Sequence, residues 1–342
     1  MENEIYGIHR VCGEPGVFPQ RAQQLDPSLP IRNSELLIEV ERLNIDAASF
    51  RQMNEAAGGD RDRVKELIRT TVRDRGKMHN PVTGSGGMLV GRIAEIGSKH
   101  PAREQLRVGD RIASLVSLTL TPLMLEEILE IHSSDQVEVR GKAILFASGL
   151  YAKLPADLPP SVALAALDVC GAPAMLARYL RPGMTVLVLG AGKSGMLCLA
   201  QARRSMAGQG LLLAADKSAS VLKELAEIGL SDATLAIDAS DALGVLSHVT
   251  RLSRGTLCDL AINCASTPNT EMSTILSVRQ GGRAIFFSMA TSFTAAALGA
   301  EGMGKDVEML VGNGYVPGHA ELTLDLLRGD LELRKLFERR YG

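Results

Sequence analysis

A chain of 342 residues, 46% hydrophobic and 22% charged, is long enough for two ordinary domains and has the balance of a globular protein, which excludes disorder. Its net charge of −2 supplies no basic field of the kind nucleic acid requires, so a small molecule is the expected partner. Cys12, Cys170, Cys198, Cys258 and Cys264 are odd in number, scattered and without a CxxC pair, so free thiols, no disulfides and no structural zinc cluster are expected.

The first 155 residues read as a compact, mostly β domain. Apolar or β-branched runs at 35–41, 89–96, 111–116 and 142–146 are separated by Pro, Gly and Asp turns. Residues 60–76 interrupt them with a helical pattern in which Val64, Leu67, Ile68 and Val72 share one face. The Arg and Lys residues there alternate with Asp60, Asp62, Glu66 and Asp74, the pattern of a solvated face rather than a binding patch. From residue 182 onward, strands are expected at 184–189, 211–215, 233–237, 259–263, 283–287 and 307–311, with helices at 194–206, 218–228, 241–252 and 270–279. Six strands alternating with crossover helices make an α/β fold, a doubly wound parallel sheet of Rossmann type. The expected domains are thus 1–155 and 156–317, and a last helix near 320–338, within 318–342, is left free to return to the first. The apolar runs are far too short to cross a bilayer and the N-terminus has no basic-then-apolar signal, so a cytoplasmic location is expected.

The strand 184–189 runs directly into Gly190-Ala191-Gly192-Lys193-Ser194-Gly195 and then into the helix at 194–206, with Met196 counted beside the motif as a cofactor contact, the context that a GxGxxG pattern needs in order to mean a dinucleotide. Gly190 permits the tight turn, Gly192 lets the backbone approach a pyrophosphate, Gly195 allows close packing of helix on strand, and the helix N-terminus attracts the negative charge. Gly192-Lys193-Ser194 also matches the end of an NTPase phosphate loop, but that motif needs glycine where Leu187 stands inside the strand. The next strand ends at Asp216, placed to accept from the ribose hydroxyls and to repel a 2′-phosphate, which favours NAD; Lys217 beside it leaves NADP possible. Asp216 also reads as a helix N-cap, a role Ser218 fills equally well. The carboxyl ends of the later strands add Asp238, Cys264-Ala265-Ser266 and Ser288-Met289, the last two segments at the nicotinamide end.

These residues resemble the medium-chain dehydrogenase/reductase superfamily, in which a β-rich GroES-like domain precedes the cofactor domain. Leu43-Asn44-Ile45-Asp46, the segment Gly91–Gly97 and Arg107-Val108-Gly109-Asp110-Arg111 stand in the order of its first-domain signatures. Within it, the segments 13–20 and 44–50 and Gly84-Ser85-Gly86-Gly87-Met88 resemble the family of L-erythro-3,5-diaminohexanoate dehydrogenases of lysine fermentation. The resemblance implies NAD(P)-dependent oxidative deamination at C3, giving 5-amino-3-oxohexanoate, ammonium and reduced cofactor, by an enzyme that is a homodimer or homotetramer. The positions that hold catalytic zinc elsewhere in the superfamily correspond to Asp46, Gly87-Met88 and Cys170; only Cys170 matches, so the resemblance implies a zinc-free site.

Hydride leaves C3 only when the adjacent nitrogen has a free lone pair, so at least one carboxylate is required to bind the substrate ammonium and move protons. Asp46 and Asp168 are the carboxylates expected near the domain cleft, each as general base or as anchor of the second ammonium. Asp46 also reads as the cap of a short helix over 47–53, and Asp168 as a structural hydrogen-bond partner at a domain junction. Ser49, Arg51 and Tyr151 are further polar candidates, with Arg51 suited to the substrate carboxylate. The readings left open are another zinc-free reductase of the superfamily acting on quinones or enoyl substrates, and a non-catalytic dinucleotide sensor.

Overall fold

The structure is a computed structural model and describes residues 2–132, 135–312 and 314–342. By internal contacts the chain divides into two units, one running to Asp168 and including Arg340–Gly342, the other Val169–Arg339. That division falls after Asp168 rather than near 155.

The first unit contains α1 (Glu2–Ile5), β1 (Glu35–Asn44), α2 (Ala47–Ala56), α3 (Arg61–Arg75), β2 (Met88–Ile96), β3 (Arg111–Ser114), β4 (Leu123–Ile131), β5 (Gln136–Phe146), β6 (Tyr151–Lys153) and α4 (Pro160–Leu167). The strands pair antiparallel in one sheet, in the order β4-β5-β1-β2-β3-β6. Leu36, Ile38 and Val40 of β1, Leu89 and Ile93 of β2, and Val137, Val139 and Ala143 of β5 bury their side chains together. Helix α3 starts where the Asp60 carboxylate accepts from the Asp62 and Arg63 amides and ends at Gly76 in the left-handed region. Its buried face is Val64, Ile68 and Val72, whereas Leu67, expected on that face, is 38% exposed. Position 67 is offset from the 64–68–72 stripe, and the apolar face is narrower than the four residues suggested. The polar face carries Arg69–Glu66 and Arg73–Asp74 ion pairs, as a solvated face does.

The second unit contains α5 (Gly171–Ala177), β7 (Thr185–Leu189), α6 (Lys193–Met206), β8 (Leu211–Asp216), α7 (Ala219–Glu227), β9 (Ala233–Ala236), α8 (Ala242–Leu252), β10 (Cys258–Asn263), α9 (Glu271–Ser277), β11 (Val278–Phe286), α10 (Phe293–Gly302), β12 (Val307–Val311), α11 (His319–Gly329) and α12 (Leu331–Tyr341). Six parallel strands lie in the order β12-β11-β10-β7-β8-β9, which places the switch point between β7 and β10. β7 and β8 are buried almost throughout, as central parallel strands are. Three expectations are corrected. The helix expected to 279 ends at Ser277 because β11 begins at Val278 and pairs with Cys258, ahead of an irregularity that Gly281, at φ 66°, accommodates. The stretch between β11 and β12 holds a further helix, α10, beyond the four helices expected in this unit. The last helix is two, interrupted at Asp330, whose carboxylate accepts from the Leu333 amide. Among the described residues no single helix is long and apolar enough to cross a membrane.

Candidate active site

In the second unit, β7 hands the chain to α6 through the glycine turn. Gly190 sits at φ 93°, and a Cβ there would lie 2.6 Å from the Ala265 amide; a Cβ on Gly195 would lie 1.9 Å from the Gly190 carbonyl. Both positions are closed to any side chain, which fixes the turn beneath the C-terminal end of β10. Gly192 is the opposite case: it is exposed, and a Cβ there would meet nothing within 4 Å. The helices α7, α8 and α10 of the same unit are capped by the side chains of Ser218, Asp241 and Ser292, whereas α6 starts at Gly192 with no side-chain cap. The start of α6 at Gly192 thus borders open space at the positive end of the helix, a fit for an anionic phosphate. Met196 is fully buried and helps pack α6 against the sheet.

At the end of β8, Asp216 Oδ2 accepts the Ala191 amide at 2.7 Å and Oδ1 the Ser218 amide at 2.8 Å. Ser218, not Asp216, caps α7. Asp216 instead ties the glycine turn to β8, and each of its oxygens keeps a lone pair for a ribose hydroxyl. Lys217 beside it is exposed. Asp238, exposed just beyond β9, accepts both the amide and the hydroxyl of Ser240, and these bonds hold its carboxyl below the usual range.

At the end of β10, the buried Asn263 is a residue the sequence reading missed. Its Nδ2 donates to the Thr270 and Thr274 hydroxyls at 2.8 and 3.0 Å, and its Oδ1 accepts the Ala265 amide at 3.1 Å, which shapes Cys264-Ala265-Ser266. Its carbonyl accepts from Phe287 and Ser288, so one residue sets both segments expected at the nicotinamide end. Glu271, also buried, fixes the following loop through the Ser292 amide at 2.6 Å. Asn263 carries no sequence signal beyond being the last residue of a strand, and Glu271 none beyond opening a helix. Ser266 and Met289 are exposed, Met289 at 86%, whereas the Cys264 thiol is engaged with Cys198. Burial and that bond push the Cys198 thiol well up, so Cys198 is not a poised nucleophile.

In the first unit, Asp46 is the N-cap of α2, as its second reading held: Oδ1 accepts the Ala48 and Ser49 amides at 3.0 and 3.1 Å. Its Oδ2 accepts the Ser85 hydroxyl. The fully buried Ser49 hydroxyl lies 2.8 Å from Ser85 Oγ and 2.5 Å from Thr83 Oγ1. Asp46 and Ser49 are therefore brought together, joined by Thr83 and Ser85, which the sequence reading passed over. Arg51 is exposed on α2, Asp168 is the half-buried C-cap of α4, and Cys170 is the buried N-cap of α5. Tyr151 is directed elsewhere: its hydroxyl donates to Gln105 Oε1 at 3.0 Å, and burial raises its phenol. It sits at a cavity of about 120 Å³ that His100 and Ala102 also line.

The zinc positions do not fit a metal. Gly87 sits at φ 104° with its Cα face against the Asn44 carbonyl, where a Cβ would come within 1.9 Å. No histidine can stand there, Met88 offers no hard donor, and Asp46 is already taken by two amides and a hydroxyl. Elsewhere among the described residues Glu130, His132 and Glu138 have their polar atoms within 4.8 Å of one another, but Glu138 is ion-paired to Arg42 at 2.6 Å.

Residues 9–155 match the model of the L-erythro-3,5-diaminohexanoate dehydrogenase N-terminal domain. The chain is 49% identical to the L-erythro-3,5-diaminohexanoate dehydrogenase of Acetoanaerobium sticklandii over 100% of both chains. It is likewise 49% identical to the enzyme of that name from Fusobacterium nucleatum subsp. nucleatum, over 98% of both. Among solved structures, the CurK enoyl reductase superposes with a TM-score of 0.59 at 17% identity, covering 96% of this chain and 94% of that one. A mycobacterial protein solved in complex with NADPH gives 0.56 at 18% identity, covering 95% and 87%. These two share the medium-chain dehydrogenase/reductase fold with this chain.

Proposed function

The chain belongs to the family of L-erythro-3,5-diaminohexanoate dehydrogenases, and we propose that it oxidatively deaminates L-erythro-3,5-diaminohexanoate at C3 to 5-amino-3-oxohexanoate and ammonium. Full-length identity of 49% to two enzymes of that name carries the reading. A nicotinamide dinucleotide is the hydride acceptor, with its pyrophosphate on the Gly192–Ser194 amides and its adenosine ribose on Asp216. We take NAD as the preferred form, because a 2′-phosphate would meet the Asp216 carboxylate.

The reaction needs one proton off the substrate ammonium, a hydride off C3, and water added to the resulting imine. Side chains carry the later proton steps, since the zinc positions hold no ligand set. The ammonium proton is lost to solvent before hydride leaves; Asp46 is the acceptor of the proton from the water that adds to the imine, Asp168 the counter-charge for the second ammonium, and the exposed Arg51 guanidinium the partner of the substrate carboxylate. The catalytic setting is lysine fermentation in the cytoplasm. The enzyme is a homodimer or homotetramer, and light scattering should then return a mass two or four times 36.5 kDa.

The test is spectrophotometric. Reduced cofactor should form when 3,5-diaminohexanoate is added to the enzyme with NAD; no rate with it, combined with consumption of reduced cofactor by a quinone or an enone, would replace this reading with a reductase.

A further inference from the structure

Three hydroxyls stand in contact beside Asp46, and their hydrogen-bond arithmetic gives them a direction. Asp46 Oδ1 is used by the Ala48 and Ser49 amides, and Oδ2 meets Ser85 Oγ. An ionised carboxylate only accepts, so the Ser85 hydrogen points at Asp46 and its lone pairs are left for Ser49 Oγ, at 2.8 Å. With the Ser49 hydrogen directed at Ser85, Ser49 accepts from Thr83 Oγ1 at 2.5 Å. Thr83 Oγ1 also lies 3.1 Å from Ser85 Oγ, so a proton from Thr83 reaches Asp46 through Ser85 either directly or by way of Ser49, and both routes end with Ser85 donating to Asp46. Thr83 is exposed, Ser85 half-buried and Ser49 fully buried, so the chain joins a surface hydroxyl to the carboxylate through the protein.

The loop that carries Thr83 and Ser85 is preset. Asn80, fully buried, accepts the Val82 amide on Oδ1 at 2.8 Å and donates from Nδ2 to Gln52 Oε1 at 2.9 Å. Its backbone amide donates to the Ser85 carbonyl and its carbonyl accepts from Gly84, both at 2.9 Å. A network needed only to cap α2 would stop at the two amides. This one continues through three hydroxyls to the surface.

We propose that Thr83 is the entry of a proton relay, running through Ser49 and Ser85 to Asp46, that deprotonates the water adding to the substrate imine. The proposal rests on the oxidative-deamination reading. As the water oxygen bonds to C3, the C=N pair moves to nitrogen and one O–H bond of the water breaks. That proton goes to Thr83 Oγ1, the Thr83 hydrogen to Ser49, the Ser49 hydrogen to Ser85 and the Ser85 hydrogen to Asp46 Oδ2. The hydroxyls end unchanged, Asp46 is neutral and the substrate is a carbinolamine. Return of the proton along the same path to nitrogen lets the C–N bond break; the remaining hydroxyl proton passes to the ammonia, leaving the ketone and ammonium. The proton of a water adding to a cationic imine is acidic enough for a carboxylate to take.

Hydride transfer precedes this step, which gives a test that a merely structural role does not pass. Stopped-flow absorbance should show that Thr83→Val and Ser85→Ala still release a rapid burst of about one equivalent of reduced NAD per active site. Steady-state kcat then falls on the order of 10²-fold, the lower end of what positioned general-base catalysis contributes. Thr83→Ser, which keeps the hydroxyl, should restore kcat, and NAD affinity measured by fluorescence should match the wild type in all three. Wild-type kcat in Thr83→Val and Ser85→Ala, or loss of burst and steady state in equal proportion, overturns the relay and leaves the deamination reading standing. Absence of any reduced NAD from the wild type with 3,5-diaminohexanoate removes both.

Discussion

Two helix N-termini in this protein meet the same physical demand in opposite ways. At α6 the helix start at Gly192 borders open space and has no side-chain cap; at α2 the first amides are closed by Asp46, which is itself held by Ser85. Four free amides at a helix start need partners, and a protein satisfies them from its own side chains or leaves them for a ligand. The uncapped end is where an anion is expected, and the capped end is where charge is held fixed for chemistry. Buried polar groups of the first unit are tied to partners distant in the chain, Glu35 to Arg10 across 25 residues and Lys77 to the Pro19 carbonyl across 58.

The comparison breaks most completely at Gly192. Because a Cβ there meets no protein atom within 4 Å, Gly192→Val should fold with unaltered melting yet lose dinucleotide binding altogether by calorimetry. Retained affinity would mean that the open N-terminus of α6 is not the pyrophosphate site.

Next in size is the buried pair of the first unit. Glu35, 0% exposed, accepts from Arg10 Nη2 at 2.6 Å, from His9 Nε2 at 2.6 Å and from the Arg32 amide at 2.7 Å. Burial raises its carboxyl, but the bonds from Arg10, His9 and Arg32 outweigh it and bring the group down to about 2. With an unfolded value of 4.5, the stabilisation is fully present above pH 4.5 and is lost as pH falls towards 2. Glu35→Gln leaves the buried Arg10 with only the more distant Asp26 carboxylate, at 3.7 Å, and should cost about 3 kcal/mol, the low end for a broken buried pair, at neutral pH in a urea titration. It should also flatten the acid limb between those pH values; an unchanged limb would assign acid unfolding to other carboxylates.

This difference also decides what could be read in advance. The Rossmann unit was legible because its determinants are contiguous: strand 184–189, the glycine turn and Asp216 follow one another within a single βαβ segment. Its strand order follows from that repetition. The first unit gave up β1, β2, β3, the end of β5 and α3 by pattern, but neither β4, whose Glu126, Glu127 and Glu130 hide a half-buried edge, nor the three-residue β6, nor Thr83 and Ser85, which reach Asp46 only through a loop closure across 39 residues. Asn263 was missed for a related reason. It reads as the last residue of a strand, and only the fold brings Thr270 and Thr274 against it.

A smaller effect sharpens the open site. Asp216→Ala removes the carboxylate that a 2′-phosphate would face, and the ratio of NAD to NADP in kcat/KM should fall about tenfold, about 1.4 kcal/mol. An unaltered ratio would mean that another group reads the ribose. Since Asp216 also holds the Ala191 amide, affinity for both forms should drop somewhat, and it is the ratio that carries the conclusion.

The smallest effect separates the two jobs of Asp46. Asparagine is as good an N-cap as aspartate, because a single side-chain oxygen suffices for the Ala48 and Ser49 amides, while alanine offers none. Asp46→Asn should therefore melt with the wild type, and Asp46→Ala should lose about 1 kcal/mol, typical of a lost cap. Neither variant has a carboxylate to receive a proton from Ser85, so both should be equally slow in steady-state turnover despite their different stabilities. If activity instead followed stability, with Asp46→Asn fully active, Asp46 would be a cap alone, and α2 would differ from α6 only in having its amides satisfied by the protein rather than by a ligand.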